Sequence, residues 1–161
     1  MTLLKRDIFV KRWLLEAAGN NSHKMTEMLK DQPSVAIEKD PFSGFTALHW
    51  AAKYGNTEMV KCLITTYGVD VDGKSHGGYT ALHLASKYRR PNTCNVLVNQ
   101  LGANLHIRDN YGRHSSYYTI QHDHVHRQQY TEKAKKTSLN LKKSPHSSLQ
   151  LPRFMSLDGL Y

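Results

Sequence analysis

Between Thr46 and Ile64 the apolar residues fall into two runs at helical spacing. Ala47, Leu48, Ala51 and Ala52 follow a threonine whose hydroxyl can cap a helix start, which predicts a short helix with small residues where a second helix must come close. Gly55 can adopt the left-handed conformation that ends such a helix, and Met59, Val60, Cys62, Leu63 and Ile64 predict a second helix with a broad apolar face. Gly68 and the stretch VDVDGKSHGG then predict an extended, turn-rich connection to the next threonine. The same text then returns: FTALHWAAKYG from Phe45 becomes YTALHLASKYR from Tyr79, and the connection becomes Gly102 with ANLHIRDNYG. Two copies in fixed register predict a helical hairpin that buries its apolar face by stacking on its neighbours.

The frame extends beyond the two copies. A shift of 34 places Gly44 on Gly78 and Gly112, Leu14 on Leu48 and Leu82, Ala17 on Ala51 and Ala85, and Leu29 on Leu63 and Leu97. Towards the C-terminus it fades, because Ser116 and Thr119 stand where Leu82 and Ala85 stood, and Thr131 stands in the place of Leu97. A partial helix from Ser115 to His122 is therefore expected as a frayed cap. Arg89 replaces Gly55 at the end of its helix, which predicts either strain or a different turn there, and Pro91 suits the first turn of the helix that follows.

Helix, helix and protruding turn, repeated with this period, resemble the ankyrin repeat. DPFSGFTALHWAAKYGN, SHGGYTALHLASKY and IRDNYGRHSSYY are in addition similar to the paired repeats of the Sosondowah ankyrin-repeat family, from about Trp13 to Tyr118. The resemblance implies an all-α ankyrin-repeat stack of about two full repeats with partial flanking repeats. We expect an ankyrin-repeat domain over residues 1–120, with a partial repeat at 10–40, full repeats at 41–74 and 75–108 and a degraded cap at 109–120. Residues 121–161, rich in His, Lys, Ser, Gln and Tyr, are expected to form a disordered tail.

Charge changes this picture modestly. The chain of 161 residues carries a formal +9, with 15 basic against 10 acidic side chains in residues 1–120 and 7 against 3 in the remainder. Both parts should prefer acidic partners. Cys62 and Cys94 form no CxxC pair and align with Val96 and Val60, so they are expected to be inert buried thiols in a reducing compartment. MTLLKRDIFVKRWLLEAAG interrupts its apolar residues with charges, which fits neither a signal peptide nor a membrane span. The expected location is cytoplasmic or nuclear.

Little in the chain suggests catalysis. The resemblance implies that His49 and His83 are structural, each joining the turn to its helix start with Thr46 and Thr80 as partners, and Gly44 and Gly78 are grouped with them. No nucleophile sits with a His/Asp pair and no phosphate-binding loop follows a strand, so an enzyme is not expected and no cofactor is implied. HDHVH (His122, Asp123, His124, His126) lacks the separated ligand pairs of a structural zinc site, so no metal site is assigned. KAKKTSLNLKKSP (Lys133 to Pro145) is read as a charged tail, with nucleic-acid or anionic-membrane binding as the alternative; Ser144 and Ser156 could accept phosphate. LPRFMSLDGLY gathers apolar residues that could fold onto a partner or onto the repeats.

The resemblance also implies where contacts are made. Carried over position by position, the variable groove residues are Phe42, Ser43, Phe45, Lys53 and Tyr54 in one unit and His76, Gly77, Tyr79, Lys87 and Tyr88 in the next, with Asn110, Tyr111 and Arg113 continuing the row. This groove is aromatic and basic. The expected function is that of a monomeric, non-catalytic adaptor that binds an acidic protein segment in the groove.

Overall fold

The computed structural model describes residues 3–120. Its elements are α1 (Leu3–Ala18), α2 (Ser22–Asp31), a 3-10 turn (Pro33–Ile37), α3 (Ala47–Tyr54), α4 (Thr57–Thr65), α5 (Ala81–Lys87) and α6 (Pro91–Asn99). Residues 115–120 are helical as well. Among the described residues the extended pairing is limited to one isolated antiparallel bridge between Arg108 and His114, so the architecture is all-α. The tail expected from residue 121 onward lies outside the described residues.

The helices pair as the apolar spacing dictates. α1 packs on α2, α3 on α4 and α5 on α6, while α1, α3 and α5 form one layer and α4 and α6 meet in the other. Small residues make the close approach in the first layer possible: Ala47, Ala52, Ala81 and Ala85 are fully buried. Leu29, Leu63 and Leu97 are buried at matching places in α2, α4 and α6, and a single apolar core runs from Trp13 to Ala103. Replacing one of these leucines by Ala would cost about 2–5 kcal/mol, because the surrounding helices hold the resulting cavity open.

The frame slips once. The N–H of Asn21 bonds to Glu16 O as that of Asn56 bonds to Ala51 O and that of Arg90 to Ala85 O. By this equivalence Ala17 matches Ala52 and Trp13 matches Leu48, one place away from the shift of 34 that the rest of the chain obeys. Trp13 is completely buried, whereas Leu14 is only half-buried. The common register returns by the end of α2, whose cap N–H of Gln32 bonds to Met28 O as Thr66 bonds to Cys62 O. The slip is absorbed within α2, which has 10 residues where α4 has 9.

Cys62 and Cys94 depart from the expectation of buried thiols. Both are free but half-buried, since the fully buried slots go to Leu63 and Leu97. Of the two outcomes expected at Arg89, the chain keeps the turn and accepts the strain: φ is 56° there, beside 80° at Gly55. A left-handed arginine costs on the order of 1 kcal/mol, which the packed stack tolerates.

Candidate functional site

Each protruding turn is closed by a glycine and stitched to the next. Gly44 and Gly78 have φ of 69° and 75°, and a Cβ on either would lie 2.7 or 2.6 Å from the backbone nitrogen of His76 or Asn110. Glycine is thus required twice over, by conformation and by contact. The His76 N–H donates to Ser43 O at 3.0 Å and its Nδ1–H to Phe42 O at 3.0 Å. One unit on, the Asn110 N–H donates to Gly77 O at 3.1 Å and Nδ2 to His76 O at 2.8 Å.

Behind the tips the TALH histidines tie unit to unit. Nδ1 of His49 accepts the Thr46 N–H at 3.2 Å and lies 2.9 Å from the Thr46 hydroxyl, and Nε2 lies 2.9 Å from Tyr79 O. A backbone N–H can only donate and a carbonyl can only accept, so the ring is neutral with its proton on Nε2. His83 repeats this with Thr80 at 3.3 and 2.9 Å and with Arg113 O at 3.1 Å. Both rings are buried, and burial pulls both pKa values below the ordinary histidine range against the carbonyl bonds that favour the proton.

The same side of the stack carries a row of cations on aromatic rings. Lys53 Nζ sits 4.6 Å from the centre of the Trp50 ring, 5.7 Å from that of Tyr54 and 5.1 Å from that of Tyr88 in the following unit. Lys87 Nζ is 4.8 Å from Tyr79 and 5.6 Å from Tyr118, again one unit further on. The Arg113 guanidinium lies 5.2 Å from Tyr111 and 4.6 Å from Tyr117. Ring faces attract cations and narrow the rotamers of these long side chains, so charge is presented in fixed places.

The residues expected in the groove divide into three groups. Phe45, Lys53, Tyr54, Tyr79, Lys87, Tyr88 and Arg113 belong to this row or touch it; Phe45 stacks on His49 at 5.3 Å and meets Trp50 edge-on at 5.2 Å. Phe42 and Tyr111 project from the tips with 91% and 70% of their surface exposed. Ser43, His76, Gly77 and Asn110 take part in the bonds between successive turns, and His76, although exposed, spends its ring on the Phe42 carbonyl. Tyr54 has a structural task as well, since its hydroxyl donates to Ala18 O at 2.7 Å, the place where Arg90 Nε reaches Lys53 O at 3.1 Å one unit later.

Sequence reasoning passed over Trp50, Tyr117, Tyr118 and Asp109. Tyr118 is buried and donates its hydroxyl to Asp109 Oδ2, while Asp109 Oδ1 accepts the N–H groups of Tyr111 and Arg113 at 2.9 Å each. Burial disfavours the Asp109 carboxylate, but these bonds outweigh it and hold its pKa below the usual range. Burial and the same carboxylate push the Tyr118 hydroxyl pKa up. A signal was available, since the repeat register puts Tyr118 on Leu84 and Trp50, in the slot that faces the lysines.

Among the described residues there is no group of three metal-ligating side chains and no helix long and apolar enough to cross a membrane. HDHVH and the Lys133 to Pro145 run lie outside the described residues.

Comparison with known proteins accounts for this architecture. A family model described as ankyrin repeats (3 copies) matches residues 14–109. The human ankyrin repeat domain-containing protein SOWAHC is 41% identical over 111 residues, 66% of this chain and 21% of that protein; the Mus musculus protein of the same name is 43% identical over 111 residues, 66% and 22%. Mus musculus SOWAHD is 41% identical over 46 residues, 29% of this chain and 14% of that protein. The chain thus spans about a fifth or less of the length of these relatives. With its stacked hairpins, reciprocal Thr/His caps and stitched turns, the chain belongs to the ankyrin-repeat family and has Sosondowah proteins among its relatives.

Proposed function

We propose that residues 1–120 form a non-catalytic protein-interaction module that binds an acidic protein segment across the face made by the turns and first helices. The observation that carries this reading is the row Lys53, Lys87 and Arg113, each held over aromatic rings. Stacked repeats offer an extended surface of this kind, rigid aromatics supply contact area at low entropic cost, and fixed cations select for opposite charge. Affinity on the order of micromolar suits so few repeats.

The deciding experiment measures partner binding by the intact chain, the Lys53→Gln/Lys87→Gln variant, the Tyr88→Ala variant and a chain lacking residues 121–161. Tyr54→Ala is avoided because it removes the bond to Ala18 O. Loss of binding in the lysine and Tyr88 variants, with their melting unchanged, supports the reading. If only the deletion abolishes binding, recognition belongs to the Lys-rich segment, and nucleic acid or anionic membrane becomes the better assignment.

A further inference from the structure

The cations occur once per repeat, which specifies the shape of what they meet. Lys53 is the penultimate residue of α3, Lys87 ends α5, and these helices pack side by side in one layer. Packed helices lie about 8–10 Å apart, so the two charges repeat at roughly that distance along the face. In a polyproline-II chain the rise is about 3.1 Å per residue with three residues per turn, so positions i and i+3 point the same way about 9 Å apart. A β-strand places i and i+3 on opposite faces, although its rise would match.

The ring arrangement agrees. Lys53 and Lys87 each lie between rings of their own unit and a tyrosine of the next, Tyr88 and Tyr118 respectively. Between Lys53 and Lys87 the face therefore presents the exposed ring of Tyr88, whereas Tyr118 beyond Lys87 is buried. Such exposed aromatic surface is where the proline-rich ridges of a polyproline-II helix dock in other recognition modules. Resting on the proposed function above, we infer that the occupant is a polyproline-II segment of a partner protein with acidic residues at every third position, two of them seated on Lys53 and Lys87. Residues between the carboxylates lie against Tyr79 and Tyr88.

The test uses the full chain and three fluorescent peptides of equal charge and length: glutamates at i, i+3 and i+6 with intervening prolines, the same residues with the glutamates adjacent, and a helix-forming peptide with glutamates at i and i+7 and a third outside that face. Fluorescence anisotropy should give the first peptide about tenfold tighter binding than either other. Lys53→Gln and Lys87→Gln should each erase most of that preference without altering the circular dichroism melt. Equal affinities for the three peptides, still weakened by the lysine changes, would overturn the inference while leaving an acidic-segment groove in place. Preference for the helical peptide would overturn it too. Binding of all three that ignores the lysine changes would remove the proposed function and the inference together.

Discussion

Replacing His49 by alanine tests how the units are joined. Three contacts disappear: the Thr46 N–H at 3.2 Å, the Thr46 hydroxyl at 2.9 Å and the Tyr79 carbonyl at 2.9 Å. The carbonyl retains one donor, the Ser75 N–H at 2.9 Å, so its loss is partial. The buried Thr46 N–H loses its partner, a penalty of about 1–3 kcal/mol. An imidazole-sized gap adds to that, because His49 is buried and stacked on Phe45. The expected total is about 2–4 kcal/mol. His83→Ala should behave alike, since Arg113 O keeps the Asp109 N–H. Thr46→Val, which leaves the N–H to Nδ1 bond, should cost only about 0.5–1.5 kcal/mol. Urea denaturation followed by circular dichroism at about pH 7.5 reads these as midpoint shifts at constant slope. Histidine variants within about 0.5 kcal/mol of the parent would refute the assigned network, that being the scatter of neutral surface changes.

Acidification should act through the same rings. Their folded pKa values are depressed, so unfolded histidine, titrating near 6.5, binds protons that the folded rings refuse; stability is complete above that pH and falls as pH drops towards the folded values, at up to about 1.4 kcal/mol per pH unit and ring. Lys39 near His49, and Lys74 and His114 near His83, reinforce the shift, while Asp109 opposes it at His83; melts taken from neutral to mildly acidic pH should decline less steeply in the His49→Ala variant. Gly44→Ala and Gly78→Ala should each cost more than about 1 kcal/mol in the same urea assay, through left-handed φ and the clash with the following turn, and unchanged midpoints would remove that account. Tyr118→Phe should lose about 1–3 kcal/mol by stripping one bond from Asp109, with the deficit shrinking at low pH as that carboxylate protonates; a pH-independent deficit would assign it to packing instead.

The repeat was readable because each unit solves the same burial problem with the same spacing. Thr46 and His49 recur as Thr80 and His83, and the glycines of the turns recur in the same register. Where a unit solves the problem with a different residue, periodicity misleads: Trp13 fills the slot of Leu48 from a position one place out of frame. Trp50 was hidden for a related reason, since Leu84 replaces it in the next unit and the bed beneath Lys53 is therefore not repeated in composition. Ser116 and Thr119 suggested decay after the second copy, yet Ser115 and Tyr118 are buried because their neighbours satisfy or enclose them. Polarity alone cannot separate a frayed end from a hydrogen-bonded one. The bond from Tyr54 to Ala18 O spans 36 residues, beyond any local pattern.

The histidine ties also impose an order of assembly on a chain made from one end. Each ring is answered by a carbonyl 30 residues downstream, Tyr79 for His49 and Arg113 for His83. A nascent chain that has presented one hairpin therefore holds a buried donor without its acceptor until the opening turn of the next unit has been synthesised. Completion travels from the N-terminus towards the C-terminus, and the turn at Asp109 to Arg113 brings it to a close. A stop codon that ends the chain between residues 108 and 112 should therefore weaken the unit at 75–108, though every residue of that unit is intact, because His83 then lacks the Arg113 carbonyl.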